Sequence, residues 1–178
     1  MNTRRYCASN RPDPIANALR WLAATSTLPA LVLEDFANSG QSPLVVGTLF
    51  DVLKVPAPVG TRVLEQLQQR EAAMGPLLAD SDTGSVYILI PPGTAGSWQA
   101  GGSAYDRAAA TTLLVPIPGT TRSGRHWLNP PDGSGELTDP DLLAEIVAAL
   151  LQDAEPADPG AALPASIHPL ARDTVKEA

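Results

Sequence analysis

Proline and glycine cut this chain into short pieces. Eighteen prolines and 14 glycines fall within 178 residues, and neither residue continues a helix or a central strand without cost. The elements between them must be short and the connections long. A chain of this length still suits one domain with a sizeable core that needs neither disulfides nor structural metal. Aromatic residues make up only 4%, so that core has to be assembled from Leu, Val, Ile and Ala.

The punctuation marks out the elements. Asp13-Pro14 reads as an N-cap followed by proline in the first helical turn, and Ile15, Ala18, Leu19 and Leu22 recur at helical spacing, with Trp21 off that stripe. A second helix is expected from Pro29 to Asn38, with Leu33, Phe36 and Ala37 inward and Asn38-Ser39-Gly40 as its stop. Pro43–Val55 is rich in β-branched and apolar residues and reads as a buried strand kinked at Gly47. After a turn at Pro56–Pro58, Val59, Val63, Leu64 and Leu67 predict an amphipathic helix to Ala73, stopped by Gly75.

Pro76–Ala79, the turn Asp80–Gly84 and Ser85–Ile90 carry the clearest hairpin signal in the chain. Asp80, Asp82 and Gly84 lack the twelfth-position glutamate of a calcium loop and are read as the hairpin turn. Thr94–Ser103 is expected as a loop or short helical turn, Thr111–Pro116 as a third strand of the central sheet, and His126–Leu128 as a brief edge strand. Thr138-Asp139-Pro140 caps a final helix whose apolar face holds Leu142, Leu143, Ile146, Ala149 and Leu150.

The predicted fold class is α/β (α+β), a small mixed or antiparallel central sheet flanked by helices. The predicted organisation is an N-terminal arm at 1–12, one domain at 13–153, and a disordered acidic, Pro/Ala-rich tail at 154–178. That tail carries an isolated apolar spot at Ile167, His168 and Leu170.

Formal charge is −7, which weighs against a free-standing nucleic-acid binder, because such affinity comes largely from neutralising phosphates. Cys7 stands alone, so no intramolecular disulfide forms, and Cys7, His126 and His168 are too few for a four-ligand zinc site. Cys7 is read as a small apolar residue. Residues 1–10 are polar and no long apolar run follows, so neither a secretory signal nor a membrane span is expected, and the expected location is cytoplasmic.

In order along the chain stand Leu49-Phe50-Asp51-Val52-Leu53-Lys54-Val55-Pro56-Ala57, Gly60, Gly75-Pro76-Leu77, Pro91-Pro92-Gly93-Thr94-Ala95, Val115-Pro116-Ile117-Pro118, Gly124 and Trp127-Leu128 before Pro130-Pro131. This order, with the lead-in Cys7–Leu22, resembles the actinobacterial form of the bifunctional DNA primase/polymerase N-terminal domain over roughly Cys7 to Leu150. The resemblance implies a primase/polymerase-like fold and templated nucleotidyl transfer on two metal ions held by carboxylates.

It also implies an Asp-x-Asp pair at the end of the first core strand. Residues two apart in a strand share a face, so both carboxylates would meet one metal pair. Here the pair reads Asp51-Val52-Leu53, and the second carboxylate is leucine. The histidine implied on the following hairpin strand is missing from Val86–Ile90, and Asp106 beside Arg107 is the candidate for the third motif, at loose spacing.

The expectation is therefore a degenerate member, leaning away from enzymatic activity, that acts as a binding or regulatory protein for an unknown protein or nucleotide partner. Two alternatives stay open. One is a divergent nucleotidyl transferase that needs a partner subunit and Mg²⁺; the other is a non-enzymatic nucleic-acid accessory protein. No resident cofactor or metal is expected unless the transferase reading holds.

The candidate residues each have two readings. Asp51 is a relic metal ligand or the cap of a turn, and Asp106 a relic ligand or a solvated loop residue. Arg107, Arg122, Arg125 and His126 are a phosphate-contacting rim or exposed side chains. Trp98 and Trp127 are stacking platforms, packing anchors or partner hot spots. No Ser or Cys partners His126 for a hydrolase triad, and Gly93–Gly96 and Gly101–Ser103 match no phosphate-binding fingerprint.

Overall fold

The computed structural model describes residues 13–109 and 111–153. The expected arm, the expected tail, Cys7 and the apolar spot at 167–170 lie outside the described residues. The chain runs through α1 (Pro14–Ala23), α2 (Pro29–Ser39), β1 (Gln41–Val45), β2 (Asp51–Pro56), α3 (Ala57–Gln69), β3 (Leu77–Asp80), β4 (Ser85–Ile90), β5 (Ser103–Tyr105), β6 (Thr112–Pro116), β7 (Arg125–Asn129) and α4 (Pro140–Asp153). Short 3-10 helices occupy Ala95–Ser97 and Arg107–Ala109.

Five strands form an antiparallel sheet in the order β5-β2-β4-β3-β7, and β1 and β6 pair separately as an antiparallel ribbon. Four α-helices flank these sheets. β4 lies at the centre, and Val86, Ile88, Leu89 and Ile90 are all buried. A strand covered on both faces reads as a continuous apolar run instead of an alternation, and that is why SVYILI stands out in the sequence.

The two faces hold two cores. Val52, Leu78 and Leu89 pack against Leu22, Val32, Phe36, Phe50 and the ribbon residues Leu44, Leu113 and Val115. Leu53, Val55, Leu77, Val86, Ile88 and Ile90 pack against Val63 and Leu67 of α3 and Leu143, Ile146 and Val147 of α4.

Several expectations are corrected. The stretch 43–55 is two strands in two sheets, because Gly47 takes φ +84° and donates its N–H to the Phe50 carbonyl at 2.7 Å, turning the chain. Thr112–Pro116 joins β1 in the ribbon and not the central sheet. The fifth central strand is β5, which begins at Ser103, the last residue of the stretch expected as a loop or short helical turn, and runs on to Tyr105. Pro56 ends β2 and Pro58 lies in the first turn of α3, so no separate turn intervenes.

α3 ends at Gln69, four residues early. Glu71 adopts φ +50° and the Ala72 N–H reaches the Leu67 carbonyl at 3.1 Å, a Schellman closure without glycine. Gly75 instead lies against Leu137 and Thr138 and donates to Thr138 Oγ1 at 2.9 Å. Within the expected Thr138-Asp139-Pro140 cap of α4, Asp139 is the capping residue, accepting from Asp141 and Leu142. On α2 the inward pair is Val32 and Phe36, while Leu33 and Ala37 are exposed. Ile15 on α1 and Ala149 on α4 are also exposed, and Val147 takes the buried place on α4.

One ion pair binds the end of the hairpin to β7. Asp80 Oδ2 accepts from Arg125 Nε and Nη2, both at 3.0 Å, with the Asp80 side chain 1% exposed. Its Oδ1 accepts the amides of Asp82 and Thr83 and shapes the turn. Burial alone raises the Asp80 carboxyl, but the Arg125 guanidinium and the Thr83 amide outweigh it and hold the group below the ordinary carboxylate range.

Two outcomes follow. A carboxylate with a depressed folded-state pKa stabilises above its unfolded value, about 3.9, and that contribution disappears as pH falls through the folded value. Wild type should therefore lose its stability advantage over Asp80→Asn on acidification, read by urea unfolding at stepped pH. Separately, a Cβ on Gly60 would stand 2.4 Å from Val86 Cβ. Gly60→Ala should cost about 1–3 kcal/mol in the urea midpoint; an unchanged midpoint would show that α3 does not press on β4 there.

Candidate functional site

Asp51 opens β2 opposite Ile90 and is 1% exposed. Its Oδ2 accepts the Ala95 N–H at 2.9 Å, which ties the 3-10 helix 95–97 to the strand end. Its Oδ1 is buried with no partner among the described residues. Leu53, two residues on, is fully buried in the core beneath α3 and α4. The strand alternation thus sends the position of the implied second carboxylate into apolar packing.

Asp106 directly follows Tyr105, the register partner of Val52, so it stands at the same end of the neighbouring strand as Asp51. Its Oδ1 accepts the amides of Ala108 at 2.8 Å and Ala109 at 3.2 Å. Its Oδ2 is 4.0 Å from the point a Cβ on Gly96 would occupy. Residues 94–97 therefore pass over both acids.

The donor set does not fit the two magnesium ions that the resemblance implies. One oxygen of each acid is engaged by backbone amides, Leu53 offers no ligand, and no group of three or more His, Cys, Asp or Glu assembles among the described residues. A pair of divalent ions needs shared carboxylates.

Arg122, Arg125 and His126 do not converge. Arg125 is held by Asp80 and also donates to the Leu114 carbonyl at 3.4 Å. His126 pairs with Ala79, which puts it on the opposite face of β7 from Arg125. Arg122 is exposed, with its guanidinium beside Gly40. Arg107 opens the second 3-10 helix, next to Asp106 in the chain.

Trp98 and Trp127 both make internal hydrogen bonds. Trp98 donates its indole N–H to the Gly101 carbonyl at 2.7 Å and packs on the core beneath α4. It also lines an open groove of about 700 Å³ between residues 92–100 and α4, floored by Ala144 and Ala148. Trp127 donates to the Pro116 carbonyl at 2.9 Å and packs on the other core, so it fastens the ribbon to the sheet.

A second cleft, about 250 Å³, was not anticipated. It lies between the ribbon and the sheet and brings Lys54, Tyr87, Tyr105 and Arg125 together. Lys54 Nζ is 5.7 Å and Arg125 Cζ 6.0 Å from the Tyr87 ring centroid. The one available signal was a lysine among the apolar residues that follow Asp51 in β2, in a chain whose only other lysine is Lys176.

Compared with protein-family models, the chain matches none. No curated protein and no solved structure matches it either. No helix among the described residues is long and apolar enough to cross a membrane.

Asp51→Ala removes the acceptor of the Ala95 amide and should lower stability by about 1–3 kcal/mol in urea unfolding. An unchanged midpoint would count against its anchoring role.

Proposed function

We infer that this chain is a non-catalytic binding or regulatory domain on a primase/polymerase-like scaffold, acting in the cytoplasm on a protein or nucleotide partner. The observation that carries this reading is the pairing of a buried, amide-bound Asp51 with a core leucine at position 53. A carboxylate used to anchor a loop, beside an apolar neighbour, lacks the shared ligand that two-metal transfer requires. The open groove beside Trp98, lined by Pro92, Gly93 and Thr94 just beyond that strand end, is the proposed seat for a partner.

A second reading is favoured by one observation. Asp51 and Asp106 share a strand end, and Asp51 Oδ1 has no partner among the described residues. In a nucleotidyl transferase needing another subunit, that subunit would supply the missing donors.

Primer extension with radiolabelled deoxynucleotides, in Mg²⁺ and in Mn²⁺, separates the two. The expected result is no incorporation above that of Asp51→Ala. Templated incorporation that disappears in Asp51→Ala would overturn the non-catalytic reading.

A further inference from the structure

We propose that the cleft between the ribbon and the central sheet binds a small organic anion, a carboxylate or phosphate monoester with a flat apolar body, through the Lys54 ammonium. The cleft lies on the face of β2 opposite Leu53, apart from the Asp51 end, and the proposal does not depend on whether that end is catalytic.

Three features converge. The first is an uncompensated cation. Lys54 is half-buried in the middle of β2, and among the described residues it forms no ion pair and no side-chain hydrogen bond. A cation withdrawn from water is costly unless it meets an anion or a π-face. Lys54 has the Tyr87 ring and no anion. Arg125, also beside that ring, differs, because Asp80 already neutralises it.

The second feature is the sign of the surroundings. Among the described residues no acidic side chain lines the cleft, although the chain as a whole carries −7. An anion entering here meets Lys54 without a competing carboxylate.

The third is shape. Tyr87 and Tyr105 provide aromatic surface, and Val46, Val52 and Leu113 complete an apolar wall. The volume of about 250 Å³ corresponds to roughly eight waters at ~30 Å³ each. That admits a molecule of the size of benzoate and is too small for a nucleoside triphosphate. An apolar pocket with a few polar groups at one end is the usual design of a small-molecule site.

The test is titration of ¹⁵N-labelled full-length protein with benzoate, phenyl phosphate and, as the neutral comparison, benzamide. At least one of the two anions should shift the amides of Lys54, Tyr87, Tyr105 and Leu113 together, and the stronger of them assigns the anionic group. Benzamide should bind about tenfold or more weakly. Lys54→Gln should lose about tenfold or more of the anion affinity, while Lys54→Arg should retain it. An unchanged thermal midpoint for Lys54→Gln shows that the cleft is still formed. Binding as tight by benzamide or by folded Lys54→Gln overturns the proposal. So do shifts scattered over the exposed arginines, or an absence of binding by both anions at millimolar concentration.

Discussion

The β2–β4 pair is buried on both faces, and the other elements are arranged to keep water from it. Asp51 through Pro56 run against Ile90 through Ser85 in unbroken antiparallel register. Apolar side chains leave this pair in both directions, so one layer of cover is not enough. α3 and α4 close one face; α1, α2 and the β1–β6 ribbon close the other. The close approach on the first face depends on Gly60, which brings α3 against Val86 where a methyl group would collide. The resulting three layers place Asp51 at an edge of the central pair and Lys54 and Trp127 in the seam between ribbon and sheet.

At one edge, this arrangement converts acids into structural anchors. Asp51 lies where β2 begins and the segment after β4 must cross it, and its carboxylate takes the amide that this crossing presents. Asp106 does the same for the short helix after β5. A carboxylate with one oxygen held by backbone amides has fewer lone pairs for a metal, and the side chain that would share the load is Leu53, packed under α4. The chemistry of the strand end follows from the strand period, which commits positions 51 and 53 to the same face.

The seam between ribbon and sheet has a different character. Arg125 and Trp127 of β7 reach across it to the carbonyls of Leu114 and Pro116, so the two sheets are joined by side chains instead of by a shared ladder. Such a joint leaves a gap between them, and Lys54, Tyr87 and Tyr105 face into it. Lys54 keeps an uncompensated charge there among the described residues, because Asp80 is engaged by Arg125.

Local pattern alone was sufficient for the α1 cap, the hairpin from Leu77 to Ile90 and α4, since each rests on contacts between residues close in sequence; β7 was legible as a brief edge strand although its ladder partner is the distant β3. The loss of the second carboxylate was equally legible, because it needs only the identity of residue 53 and the two-residue period of a strand. Sheet membership was not. Residues 43–55 and 111–116 look alike in composition to central strands, and the division into ribbon and sheet turns on one glycine at φ +84° and on pairings dozens of residues apart. The Lys54 cleft was also invisible, as its walls come from β2, β4, β5, β6 and β7. Short-range periodicity encodes which face a side chain takes; only long-range packing decides what stands opposite that face.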